Sequence, residues 1–304
     1  MSILKNKDVN AIKIYESIGG LKHVVMESIR LDECIAFATE HKDNICGAMI
    51  SKHYGFNGEN LDFLKGLPWL TRLMVCDEYQ DISAVSSLKN LDYLQLTSIP
   101  SVDFSTLVNL RTCSGDWPQN NDSFYMLKNI HSLSLWKGSK KNSIGQLSAF
   151  TKLESLSLAE LTLDTLQGIE KIPLLKSLGV HFCSKITSIE SVGNLKNLTN
   201  VHFENCRKII SFSPLANNSN LETIDVEKCG EMDNIDFVPV LPALKRLFFF
   251  GTIVNSNDLS PILKCKSLEK LAFNDKKSYS HTCKEIRQAL GISLNKVELP
   301  NAHQ

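Results

Sequence analysis

One short phrase, Leu-x-x-Leu-x-Leu or a close apolar equivalent, recurs about every 23 residues along most of this 304-residue chain. Twelve copies start at Leu21, Ile45, Leu70, Leu91, Leu110, Ile130, Leu153, Leu175, Leu198, Leu221, Leu244 and Leu268, and a last copy starts at Leu294. From Leu153 to Leu268 the steps are 22, 23, 23, 23 and 24 residues. A fixed period of this length marks a solenoid, whose repeats stack on their neighbours because none can bury its apolar face alone. No other feature of the chain limits the possible folds as strongly.

Inside each copy the fourth and sixth residues are apolar as well, as in Leu153/Leu156/Leu158, Leu175/Leu178/Val180, Leu198/Val201/Phe203 and Leu244/Leu247/Phe249. Alternation at the end of the phrase is the period-two signature of a strand with one buried face. The period then changes to three. Ile186, Ile189, Val192 and Leu195 lead into Leu198; Ile209, Phe212 and Leu215 lead toward Leu221; Met232, Ile235, Val238 and Leu241 lead into Leu244. Three residues per turn fits 3₁₀ or polyproline-type backbone rather than an α-helix, so short, irregular return legs are expected.

The repeated phrase resembles that of leucine-rich-repeat proteins, of the class with short 22–23-residue repeats, over roughly residues 20–275. The resemblance implies an α/β solenoid: a curved horseshoe with a parallel β-sheet on its concave face and short 3₁₀ or irregular segments on the convex face. In that family the ninth position usually carries Asn, bonded to the backbone of neighbouring turns. Here three successive copies carry Cys183, Cys206 and Cys229 instead, and Ile99, Pro118, Gly138, Leu161 and Thr252 hold the slot elsewhere. Cysteine is small, often buried and a weak donor, so it suits the same position.

An unbroken array argues for one domain over 1–304, with residues 1–44 as an N-terminal cap, 45–275 as regular repeats and 276–304 as a C-terminal cap. Residues 31–40 suit a short helix, residues 279–290 a second one stopped by Gly291, and the Asn-Lys-Val-Glu-Leu segment from Asn295 a closing strand. Equal numbers of basic and acidic residues, 33 of each, give no general reason to expect nucleic acid or an anionic membrane as partner. The start lacks an export-type apolar core, and no stretch reaches the length of a membrane span. With nine unpaired-looking cysteines, this suggests a reducing, cytoplasmic setting.

Strand geometry sends the third, fifth and seventh residues of each phrase outward. Read in order, these rows place Ser132, Ser134, Ser155, Ser157, Ala159, Ser177 and Gly179 along the middle of the face. Small residues there let a partner approach closely. Trp117, Trp136, Phe248 and Phe250 put large rings where water is expected, a pattern of interface anchors, and Tyr93 lies in the outward rows as a further partner-facing residue. Glu204, Asp225 and Glu227 form a carboxylate cluster on adjacent strands, flanked by His181, His202 and Arg246. Like charges on neighbouring strands repel, so a cationic group on a partner would relieve them.

No phosphate loop, Cys-x-x-Cys pair or nucleophile elbow is present, and no cofactor or catalytic residue is expected. His181/Cys183 and His202/Cys206 suggest a metal site at first sight. In the repeat frame, however, the cysteines point inward and the histidines outward, so these pairs do not converge and no metal is expected. The expected activity is therefore recognition of a folded protein with a basic surface. The first reading is a bacterial immunity protein that blocks a toxin domain. A regulatory scaffold that holds a signalling enzyme is the alternative, and a secreted adhesion protein like the internalins is the third.

Overall fold

The computed structural model describes residues 2–4, 11–17, 19–97 and 101–293. The slot residue Ile99, the last copy at Leu294 and the closing strand expected near residue 295 lie outside these. The chain divides into two compact units, one comprising residues 1–135 and 149–152 and the other residues 136–148 and 153–304.

In the first unit the strands are β1 (Ser2–Leu4), β2 (Ile14–Glu16), β3 (Lys22–Met26), β4 (Gly47–Ile50), β5 (Arg72–Val75), β6 (Tyr93–Leu96), β7 (Thr112–Asp116) and β8 (Ser132–Trp136), whose final residue belongs to the second unit. The β1–β2 and β2–β3 pairs are antiparallel, and β3 to β7 pair in parallel in chain order. Between β3 and β4 runs α1 (Leu31–Glu40), the helix expected there, which buries Cys34 and Ala38.

The second unit holds β9 (Ser155–Ala159), β10 (Ser177–His181), β11 (Asn200–Glu204), β12 (Thr223–Glu227), β13 (Gly230–Met232), β14 (Arg246–Phe249), β15 (Thr252–Val254), β16 (Lys270–Phe273) and α2 (Cys283–Leu290). Strands β9, β10, β11, β12, β14 and β16 form one parallel sheet, while β13 and β15 make a separate two-stranded ladder after their turns. The sheet register places Leu156, Leu178, Val201, Ile224, Leu247 and Leu271 side by side, all buried. Burying one such side chain contributes about 1.5–3 kcal/mol, so this row alone is a major source of stability.

The return legs are 3₁₀ turns, as the period of three requires. The apolar residues are themselves the bonded ones: Val192 N–H donates to Ile189 O, Leu195 to Val192 and Leu198 to Leu195, at 2.9, 3.1 and 3.3 Å. The leg into Leu244 repeats the scheme from Leu241 to Val238 and from Leu244 to Leu241. Each i+3→i bond brings the next apolar side chain to the same face.

The ninth-position slot works as the resemblance implies, with thiols in place of amides. Cys206 Sγ lies 3.4 Å from Val180 O, and Cys229 Sγ 3.5 Å from Phe203 O, each in the repeat before its own. Thr252 does the same one repeat later, donating to Val226 O at 2.9 Å and accepting from Cys229 N–H at 3.0 Å. All three cysteines are fully buried. The hydrogen bond with the neighbouring Cys206 thiol, followed by burial, holds Cys183 far above the usual thiol range.

Two devices that the leucine frame did not reveal support the turns. The eighth residue is left-handed in six successive repeats: Lys137, Glu160, Phe182, Asn205 and Lys228 have φ of 51–56°, and Gly251 has 63°. Each of the five non-glycine residues donates its N–H to a carbonyl of the following repeat, for example Phe182 to Glu204 O at 2.8 Å. Second, Asn90, Asn109, Asn129, Asn197 and Asn220, which precede the first apolar residue of their copies, donate to return-leg carbonyls one repeat earlier at 2.7–2.9 Å. The familiar amide ladder is thus present at another position of the repeat.

The C-terminal helix starts four residues later than the expected 279. Thr282 and Glu285 form a reciprocal capping box, with Thr282 N–H donating to Glu285 Oε2 at 2.7 Å and Glu285 N–H to Thr282 Oγ1 at 3.2 Å. That pair fixes the first turn, and Gly291 ends the helix at φ 68°.

Candidate functional site

In the second unit the sheet register resolves the outward side chains into three rows. One runs Ser155, Ser177, Asn200, Thr223, Arg246, Lys270; the next Ser157, Gly179, His202, Asp225, Phe248, Ala272; the last Ala159, His181, Glu204, Glu227. The first two strands carry mostly small side chains. A shallow pocket of about 270 Å³ opens there, lined by Ser157, Gly179, His181, His202 and Asp225 among others.

The carboxylates do not form the unrelieved cluster that the sequence suggests. Arg246 Nε donates to Asp225 Oδ1 at 2.9 Å, Lys228 Nζ lies 3.5 Å from Glu204 Oε1, and His181 Nδ1 lies 3.7 Å from Glu204 Oε2. Glu227 Oε1 faces His202 Nε2 at 3.9 Å. Arg246 and Lys228, each one repeat away, offset part of the repulsion between adjacent strands within the protein.

Phe248 was expected as a wet anchor, and the structure overturns that. It occupies an outward row but has no solvent exposure. The Arg246 guanidinium stacks on its ring at 3.9 Å, and Phe250 meets it edge-on with ring centres 6.0 Å apart. A cation over an aromatic face is favourable, and it shields the ring from water. Arg246 therefore ties Asp225 and Phe248 together. Trp136, at the end of β8, and Phe250 are half-buried and keep part of each ring open to solvent.

Trp117 is likewise corrected. It follows β7, turns under the return leg and is 2 % exposed, with its indole N–H donating to Tyr125 OH at 3.1 Å. Tyr93, in the first unit, packs against an apolar cluster of Tyr15, Val25, Met49 and Met74. The Arg72 guanidinium lies 4.0 Å over its ring, and its hydroxyl donates to Gln95 Oε1 at 3.1 Å. Burial raises the Tyr93 hydroxyl above its ordinary range.

Phe182 was not among the expected site residues, yet its ring is 54 % exposed beside His181. The signal was available, because the eighth position follows every outward row. His181 and His202 stand edge-to-face, ring centres 4.9 Å apart, and with Glu204 bring three ligand atoms within 4.8 Å of one another. The cysteines two and four residues beyond these histidines point into the core, as the repeat frame requires.

Comparison with known proteins supports the fold. An internalin from Listeria monocytogenes superposes with a TM-score of 0.55 at 16 % identity, covering 84 % of this chain and 82 % of its own. A leucine-rich-repeat protein from Leptospira interrogans is similar with a TM-score of 0.45 at 15 % identity, covering 84 % of each chain. No protein-family model and no curated protein matches the sequence. The fold is that of a leucine-rich repeat, with a long parallel sheet and short 3₁₀ turns.

Proposed function

We propose that this chain is a protein-recognition module that docks a folded partner on the outward rows of the second unit and performs no chemistry on it. The observation that carries this reading is the register of β9 to β14. Ser155, Ser157, Ala159, Ser177 and Gly179 leave the backbone open to close approach, Trp136 and Phe182 lie beside that floor with part of each side chain open to solvent, and Phe250 stands farther along the face, after β14. Aromatic rings are enriched at interface centres, and the small residues beside them let a partner come close to the sheet. The open, 270 Å³ depression suits a side chain of a partner better than an enclosed substrate.

The consequence of docking that this face fits is steric. A partner whose working surface lies on the sheet is blocked without being altered, as an immunity protein blocks its toxin. A basic partner remains compatible, since Glu204, Asp225 and Glu227 all face outward. Its cations must nevertheless compete with Arg246 and Lys228, so the rings carry more of the affinity than the charges. His181 and His202 then supply polar contacts at the centre.

The test is to co-purify and identify the partner, then assay it with and without this chain. Ser157→Trp, which fills the floor, should abolish binding while leaving the fold intact. Full partner activity in the complex would overturn the blocking reading, and unchanged binding by Ser157→Trp would place the interface elsewhere.

A further inference from the structure

From the geometry of β10 and β11 we propose that His181, His202 and Glu204 form a binding site for a divalent transition-metal ion such as zinc. Each residue offers one ligand atom, and the three atoms lie within 4.8 Å of one another. Tetrahedral zinc with bonds of ~2.0–2.1 Å sets its ligands roughly 3.4 Å apart. The 3.7 Å between His181 Nδ1 and Glu204 Oε2 is already near that spacing, and small side-chain rotations close the remainder. Two imidazoles and a carboxylate suit zinc, copper or nickel rather than calcium or magnesium.

The surroundings are built for these two rings. Gly179 is the residue beside His202 in the sheet register, and a Cβ placed on it would stand 2.6 Å from His181 Nε2. Any larger side chain would push the His181 ring out of its position over the strand. Glu227, on the next strand, points Oε1 at His202 Nε2 across 3.9 Å; both atoms are shielded from solvent and neither has a hydrogen-bond partner. With His202 binding the ion through Nδ1, a small shift would let its Nε2–H donate to Glu227, so Glu227 is assigned as a positioning residue for this site. Lys228 competes for Glu204 at 3.5 Å, but its side chain is 61 % exposed and free to swing into water when an ion arrives. Three protein ligands leave a coordination position open, on the face that carries the pocket.

The site stands on its own geometry, whether or not a protein docks on this face. Titration of the chelator-treated full chain with zinc chloride should show one ion bound per chain, and ring-proton resonances of two of its eight histidines should shift. His181→Ala and His202→Ala should each lower the affinity more than about tenfold, and Gly179→Ala should lower it without removing a ligand, by displacing the His181 ring. Cobalt(II) separates this site from adventitious thiols, because a carboxylate and two imidazoles lack the intense near-ultraviolet band of a cobalt–thiolate bond. The absence of saturable zinc uptake, uptake unchanged in both histidine variants, or a thiolate band accounting for all bound cobalt would each overturn the proposal.

Discussion

The same backbone frame carries opposite surfaces in the two units. In the first, the middle outward row reads Val25, Met49, Met74, Gln95 by register, and its first three residues are buried beneath Tyr15, Tyr54, Cys76 and Tyr93. In the second, the equivalent row reads Ser157, Gly179, His202, Asp225, and pocket and polar groups stay open. A leucine-rich-repeat sheet therefore does not by itself present a binding face. Where the outward row is apolar the protein covers it with its own rings, because each buried methylene is worth ~0.8 kcal/mol. Where the row is small and polar, nothing drives closure, and the face remains available.

That contrast can be broken most directly by truncation. Met74→Ala should cost about 2–5 kcal/mol in denaturant unfolding, whereas Ser157→Ala should change stability by less than about 0.5 kcal/mol. Equal effects would mean that the two rows are not differently packed. Arg246→Ala comes next: it strips the cover from Phe248 and leaves Asp225 without its cation, so a loss of about 2 kcal/mol is expected. Arg246→Lys should recover only part of it, since an ammonium cannot both stack on the ring and hold the carboxylate in the same way. Full recovery by lysine would show that charge alone matters there.

A pH series distinguishes the units by a single residue. His23 in β3 is fully buried, and burial, followed by the charge of Arg72, lowers its affinity for a proton below that of an ordinary imidazole. The unfolded chain takes up a proton near the ordinary value of 6.5 while the folded chain does not. Stability is therefore retained above that pH and lost as pH falls through it, by at most about 1.4 kcal/mol per unit for this one group. Urea midpoints at pH 7.5 and 5.5 should converge in His23→Leu relative to the natural chain. An unchanged pH dependence in that variant would assign the effect to other groups. A small effect is also expected at Phe182, an aromatic residue at φ 55°. Phe182→Gly should leave stability unchanged or raise it by up to about 1 kcal/mol, as relief of the left-handed strain opposes the added chain entropy. A marked loss would mean that the ring has packing partners on this face.

Most of the fold could be read without coordinates. Leu156, Val201 and Leu247 alternate with outward residues, and Ile189, Val192 and Leu195 recur every third position, so strands and 3₁₀ turns follow from local periodicity. Cys206 and Cys229 could be assigned inward because the slot recurs at the repeat length. The asparagine ladder through Asn90 and Asn197 is equally present in the sequence, as an Asn directly before the first leucine rather than at the ninth position. The candidate site was legible only as a set of positions. His181, His202, Glu204, Asp225 and Glu227 do face outward, yet their pairing, and the burial of Phe248 and Trp117, were not readable.

The reason is physical. Which way a residue points is decided by its place in a repeat, a local property that twelve to thirteen similar copies state redundantly in the sequence. Whether an outward residue stays wet depends on side chains about 23 residues away, brought alongside by strands roughly 4.8 Å apart. Arg246 reaches Asp225, and His202 approaches Glu227, only because parallel register sets them on neighbouring strands. The sequence determined the repeat frame, and only the tertiary structure decided which parts of the outward face are open.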